Sequence, residues 1–152
     1  MKKTVIYKED VNFSLKADYY GTNQENAPVI IYIHGGGLIW GTREEISEEM
    51  IKLYTNNGFS LFSIDYRLAP ATKLPEILTD IEDAILWIQL EGPKQLSIDP
   101  QRIAVVGSSA GGFLALSTGT FTHKPNVIVS FYGYGDLVGS WATNPSKYYC
   151  QK

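Results

Sequence analysis

Alternating apolar and polar positions characterise the start of the chain. Residues 11–20 carry apolar side chains at every second position, which predicts a strand with one solvated face, and residues 4–8 are predicted to pair with it as a preceding strand. Residues 29–33 are uniformly apolar, which is typical of a strand buried on both faces of a parallel sheet. Further strands are predicted at residues 59–66, 103–106 and 127–132.

A helical period follows the third strand. Thr42 is a candidate N-cap, and Glu45 is placed to reach back to it in a capping box. The helix is predicted to continue to about Asn56 and to end at the following Asn57 and Gly58. Its predicted apolar stripe consists of Ile46, Met50, Leu53 and Tyr54.

Two further helices are predicted. The first spans residues 75–90 and is amphipathic. Its apolar face consists of Ile77, Ile81, Ile85 and Ile88, and its solvated face of Glu76, Asp80 and Asp83. The second extends from Ala110 to about Thr122. Strands that alternate with helices at this spacing predict an α/β protein, a three-layer α/β/α sandwich around a mostly parallel sheet.

Composition limits the chain to one domain and narrows its partners. Of the 152 residues, 44% are hydrophobic, which suffices for a single core. The 13 basic and 16 acidic residues give a net charge of −3, so no nucleic-acid partner is expected. No apolar run approaches membrane-spanning length and no leader pattern is present, so we expect a cytoplasmic protein with no membrane partner. The single cysteine, Cys150, is interpreted as a buried or incidental thiol.

The candidate chemistry centres on residues 107–111, Gly-Ser-Ser-Ala-Gly. An apolar strand, this turn and a helix of small residues follow one another, which is the context of a nucleophile elbow. The turn strains its central serine, and Gly107 and Gly111 remove the Cβ atoms that would collide between strand and helix. Ser109 is therefore the candidate nucleophile. The alternative interpretation is a tight strand-to-helix turn without chemistry.

A second motif supports the first. Residues 34–37, His-Gly-Gly-Gly, follow the buried strand, and consecutive glycines can present bare N–H groups to a neighbouring site. With both motifs, the sequence resembles the α/β-hydrolase superfamily, and within it the hormone-sensitive-lipase-like and related carboxylesterases. The matching segments occur in the family's order and at about its spacing, at residues 34–37 with Gly41, 65–70, 99–103 and 107–112.

The resemblance implies a serine esterase. Its catalytic nucleophile would be Ser109, and its substrate a small-molecule acyl ester, with no cofactor and no metal ion. The implied oxyanion hole consists of the N–H groups of Gly36, Gly37 and Ala110, and the residues implied to support the glycine loop are His34 and Gly35.

The resemblance also bears on the fold. It makes the first two strands antiparallel and assigns residues 1–152 to the N-terminal part of a single α/β-hydrolase domain. The chain departs from the family's pattern at Ser108, where Asp is common, and at Ala71, where Glu is common. These departures remove no catalytic group, but they weaken assignment to the hormone-sensitive-lipase branch over neighbouring esterase branches.

A general base for Ser109 is missing from the sequence. The chain has two histidines, and His123 is expected at the far end of the helix that Ser109 begins, roughly 20 Å away at 1.5 Å per residue. His34 is on the correct edge of the sheet, but the resemblance assigns it to holding the glycine loop. By resemblance, residues 65–67, Asp-Tyr-Arg, brace the loop below the site, so Asp65 is not expected to be catalytic. Asp136 comes too early to be the triad acid, and the true acid and histidine would follow later strands.

Three interpretations of this incomplete site follow. In the first, the chain is the nucleophile-bearing part of an esterase and is nearly inert alone. In the second, it is a non-catalytic fragment that exists as an assembly. In the third, a second chain supplies the acid and the histidine. The strand at residues 127–132 carries no charge and would be an unpaired sheet edge. Homodimerisation or other self-association through this edge is therefore expected.

Overall fold

A six-stranded sheet lies at the centre of the computed structural model, which describes residues 2–145 and 148. The strands are β1 (Lys2–Asp10), β2 (Phe13–Tyr20), β3 (Ala27–Ile33), β4 (Ser60–Ile64), β5 (Ile98–Ser108) and β6 (Val127–Phe131). Their order across the sheet is β1-β2-β4-β3-β5-β6. β2 is antiparallel to both β1 and β4, whereas the pairs β3–β4, β3–β5 and β5–β6 are parallel. The predicted mixture of antiparallel N-terminal strands and a parallel remainder is confirmed.

Helices cover both faces of this sheet. They are α1 (Glu48–Asn56), α2 (Leu74–Leu90), α3 (Gly92–Gln95), α4 (Ala110–Ser117) and α5 (Ser140–Thr143). Apolar residues of α2 and α4 pack with Val29, Ile31 and Ile33 of β3, while those of α1 pack with Ile30 and Tyr32. Because successive residues of a strand point to opposite faces, α1 lies on the other side of the sheet from α2 and α4. The three-layer α/β/α class is therefore confirmed. Among the described residues, no helix has both the length and the apolarity to cross a bilayer.

The first helix differs from its prediction. Thr42 caps a short 3₁₀ turn at Arg43–Glu45, accepting a hydrogen bond from the Glu44 N–H, and no capping box forms with an α-helix. The chain is then extended at the buried Ile46, and α1 begins only after Ser47, whose hydroxyl accepts from the Met50 N–H. This interruption shifts the phase of the helix. Leu53 is consequently 58% exposed, in contrast to its predicted place in the apolar stripe.

Asp80 is also placed differently from its prediction on a solvated face. Its side chain is fully buried, and its carboxylate lies 2.6 Å from Lys8 Nζ and 2.7 Å from an Arg67 guanidinium nitrogen. Strand β1 and the segment after β4 pass over this part of α2 and supply the two cations. The period of the helix alone could not reveal partners this distant in sequence.

Several predicted boundaries also shift by a few residues. The helix after Ser109 ends at Ser117 and continues as a 3₁₀ turn at Thr118–Thr120, short of the predicted Thr122. Val11 belongs to the β1–β2 turn and is 95% exposed, so it does not begin β2. Cys150 lies outside the described residues.

Strand β6 forms one edge of the described sheet. It pairs with β5, and within the described part of the chain no strand lies beyond it. Val127 and Phe131 are 52% and 45% exposed. Their side chains point to the α1 face, where α1 packs with residues of β3 and β4, and the exposure of Val127 and Phe131 shows that apolar surface of β6 is left open there.

Candidate active site

Ser109 occupies a strained turn between β5 and α4. Its φ of 54° and ψ of −120° lie in a region that residues with side chains rarely adopt. Two backbone hydrogen bonds hold the turn: the Ser109 N–H donates to Phe131 O at 2.9 Å, and Ser109 O accepts from the Phe113 N–H at 3.1 Å. The predicted serine therefore lies in a strained strand-to-helix turn.

The helix can approach the sheet this closely because Gly107, before the turn, and Gly111, in the first turn of α4, have no side chains. A Cβ atom on Gly111 would overlap Ile33 O and lie 2.5 Å from His34 O. A Cβ atom on Gly107 would in turn overlap Gly111 O. Both glycines are thus required by close backbone contacts, as the pattern of the turn predicted.

The glycine loop after β3 lies directly beside Ser109. A Cβ atom on Gly35 would be 3.4 Å from Ser109 Cβ, so the two motifs meet in space. Gly36 and Gly37 have φ values of 102° and 60°, which turn the loop back toward the sheet. Within the described residues, the N–H groups of Gly36, Gly37 and Ala110 have no hydrogen-bond acceptor. Three unpaired N–H donors on the two segments that meet at Ser109 could donate hydrogen bonds to a negatively charged oxygen.

His34 lies behind this loop and is only 1% exposed. Its Nδ1 is 2.8 Å from Gly35 O, and because a carbonyl can only accept, Nδ1 carries the proton. Its Nε2 has no hydrogen-bond partner among the described residues, so it makes no bond to Ser109. The ring stacks on Tyr66 with 4.3 Å between centroids. Burial lowers the pKa of His34, which keeps the imidazole neutral near pH 7.

Residues 66–69, which follow β4, form hydrogen bonds to backbone carbonyl groups of the glycine loop. The Tyr66 hydroxyl donates to His34 O at 3.1 Å and to Gly35 O at 3.2 Å, and the Ala69 N–H donates to Leu38 O at 2.8 Å. By resemblance, His34 and Gly35 were expected to support the glycine loop and residues 65–67 to brace the loop below the site, but Tyr66 was not singled out. The sequence feature that could have indicated this role is a tyrosine two residues after the end of β4, the strand that neighbours β3.

The remaining candidates for acid and base lie elsewhere. Asp65 accepts hydrogen bonds from Arg43, at 2.9 Å to the backbone N–H and 2.7 Å to the guanidinium, and contacts no histidine. His123 lies against α2, with Nδ1 3.1 Å from Gln89 Oε1. Asp136 accepts from the Val138 N–H at 2.9 Å and closes a local turn. Neither histidine of the chain therefore hydrogen-bonds Ser109.

The buried His34 predicts a pH dependence of stability. The pKa of His34 is lower in the folded chain than its usual value of 6.5 in the unfolded chain. As the pH falls through 6.5, the unfolded chain therefore binds more protons at this residue than the folded chain does. The contribution of His34 to the free energy of unfolding should be complete above that pH and decline below it. Denaturant titrations between pH 8 and 5 measure this slope. His34→Asn, which keeps a donor for Gly35 O, should flatten it, whereas His123→Asn should leave the His34 contribution unchanged. An equal slope in both variants would contradict the prediction.

The fold and the position of Ser109 define this chain as an α/β-hydrolase. The BD-FAE family model matches residues 18–147, and the chain belongs to that family. The predicted resemblance to esterases of the α/β-hydrolase superfamily is thereby confirmed.

A solved structure shares the fold, and sequence relatives match most of the chain. Native esterase Est2 of Thermogutta terrifontis superposes with a TM-score of 0.76 at 24% identity, over 87% of this chain and 53% of that one. The non-reducing polyketide synthase stbA of Stachybotrys bisbyi is 35% identical over 144 residues, and pkbA of Emericella nidulans is 37% identical over 161 residues. The chain spans about half the length of the esterase, at 53%, and 6% of each synthase.

Proposed function

We propose that this chain carries the nucleophile and the oxyanion-binding groups of a serine ester hydrolase. Ser109 Oγ would attack the acyl carbonyl and form a new ester bond, with the substrate's alcohol leaving after it takes up a proton. The N–H groups of Gly36, Gly37 and Ala110 would stabilise the oxygen anion of the tetrahedral intermediate. Water would then release the acid and restore the serine. The observation that carries the proposal is the contact between the strained Ser109 and a glycine loop with unpaired N–H groups.

We further propose that the base and the acid come from outside these 152 residues. The sequence contains two histidines, and both are engaged away from Ser109. Without a base to take the hydroxyl proton, oxyanion stabilisation alone leaves catalysis far below that of a complete triad. The chain by itself should therefore hydrolyse esters only slightly above the uncatalysed rate.

Added imidazole can test both proposals, because it can supply the missing base from solution. Hydrolysis of p-nitrophenyl acetate and of an acetyl thioester would be measured against imidazole concentration for the 152-residue chain and for Ser109→Ala. We expect a small rate without imidazole and an imidazole-dependent increment that is lost in Ser109→Ala. An equal increment in both proteins would exclude Ser109 as nucleophile. Rapid Ser109-dependent turnover without imidazole would show that the base lies within the chain.

A second candidate is a non-catalytic assembly, which the open edge at β6 favours. Pairing of two β6 strands about a two-fold axis would satisfy their free N–H and C=O groups without bringing like charges together. We therefore predict that the 152-residue chain is a dimer or larger by light scattering across a concentration series. Val127→Lys should shift it toward monomer, whereas Val11→Lys, at the exposed β1–β2 turn, should not. A monomer at all concentrations would contradict the prediction.

A further inference from the structure

The two carbonyl groups that begin the glycine loop share one buried donor. The Tyr66 hydroxyl lies 3.1 Å from His34 O and 3.2 Å from Gly35 O. Because a carbonyl cannot donate, its single proton is divided between the two oxygens. Tyr66 is 3% exposed, so water has little access to replace that proton. The Gly35 oxygen also accepts from His34 Nδ1 at 2.8 Å.

Fixing the Gly35 carbonyl also fixes the next N–H group. Among the described residues the only cis peptide bond is Ala69–Pro70, so the bond between Gly35 and Gly36 is trans. In a trans peptide the C=O and the following N–H point in opposite directions. With Gly35 O held against Tyr66, the Gly36 N–H must point away from Tyr66.

The glycines on either side of this peptide plane supply no side-chain contacts to hold it. Gly35 and Gly36 have no side chains, so rotation of the plane between them meets little resistance from their own atoms. The hydrogen bonds from Tyr66 and His34 to Gly35 O restrict its direction. The hydroxyl is suited to this role across the neutral range, because burial raises the pKa of Tyr66 well above its usual value and keeps the proton in place.

We propose that Tyr66 is a positioning residue whose hydroxyl aims the Gly36 N–H at the oxyanion formed on Ser109. This inference rests on the proposed function, since it assigns the Gly36 N–H as one oxyanion donor. It predicts that the hydroxyl, and not the ring that stacks on His34, carries the effect.

Tyr66→Phe removes the hydroxyl and keeps the ring. Tyr19→Phe is the matched control, because Tyr19 is also buried but its hydroxyl lies 3.1 Å from Ser60 Oγ, away from the loop. In isotope-labelled protein, Tyr66→Phe should move the carbonyl carbon signal of Gly35 and speed amide exchange at Gly36. Tyr19→Phe should leave both unchanged. In the unsubstituted protein, the Tyr66 hydroxyl proton should exchange slowly, a measurement that requires no variant.

A rate measurement links this geometry to catalysis. The imidazole-supported, Ser109-dependent rate should fall about 10- to 100-fold in Tyr66→Phe and stay near the original value in Tyr19→Phe. Unchanged Gly35 and Gly36 signals in Tyr66→Phe, or changed signals with an unchanged rate, would overturn the inference. If no Ser109-dependent rate exists in the unsubstituted chain, the proposed function fails first, and the spectroscopic result separately decides whether Tyr66 orients the peptide.

Discussion

Replacing Ser109 by alanine is expected to lower kcat/KM for ester hydrolysis by about 1,000-fold or more in a form of the protein that contains the acid and the base. Triad members act as a unit, so loss of the nucleophile leaves only the oxyanion hole and substrate binding to accelerate the reaction. Ser109, with its strained φ of 54°, follows directly after the end of β5 and is partly buried. Steady-state kinetics with p-nitrophenyl esters measure the effect.

The neighbouring serine provides the control for this experiment. Ser108 is the last residue of β5, and its Oγ lies 3.5 Å from the Tyr32 hydroxyl. Ser108→Ala removes a hydroxyl one position away without touching the strained residue, so it should retain most activity. Equal losses in the two variants would indicate damage to the turn, and full activity of Ser109→Ala would refute its role as nucleophile.

A single added methyl group at Gly111 is expected to destabilise the fold by about 3 kcal/mol or more. The new Cβ would overlap Ile33 O and crowd His34 O, and both are backbone atoms of the central strand and the residue after it. These atoms cannot move aside as a flexible side chain could. Denaturant-induced unfolding of Gly111→Ala, compared with the unsubstituted chain, measures the loss.

Gly119→Ala is the matched control. Its added Cβ would first meet Ile128 Cδ1 at 3.4 Å, an ordinary contact with a side chain. The free energy of unfolding should change by no more than about 1 kcal/mol. A similar small change in Gly111→Ala would mean that α4 can shift away from β3, and that the close approach at the turn is not required for folding.

Local patterns predicted most of the fold because they report directly on burial. The uniformly apolar residues of β3 are buried on both faces, and the turn at Ser109 adopts the strained conformation that its flanking glycines predicted. The start of α1 was harder to predict because Thr42 and Ser47 are both good N-caps. Which of them begins the α-helix depends on where Ile46 is buried, and that is a tertiary contact.

Long-range polar contacts were the main feature that the sequence did not reveal. Asp80 has the spacing of a solvated residue, yet Lys8 and Arg67 surround it from other elements. Tyr66 offered a local signal, a tyrosine just after β4, but that signal did not identify its two hydrogen-bond partners in the glycine loop. Such partners are chosen by the packing of distant segments. For the same reason, the sequence predicted the turn at Ser109 more readily than the polar contacts around it.

The hydrogen bond from the Ser109 N–H to Phe131 O links the backbone conformation of Ser109 to the stability of the edge strand β6. Phe131 ends β6, whose other side is unpaired within the described chain, and such marginal elements open by local unfolding at a small cost in free energy. Each opening frees the Ser109 amide and lets the turn relax from its strained state. A segment that pairs with β6 would therefore stabilise the strained conformation of Ser109 without touching the serine, by thermodynamic linkage alone.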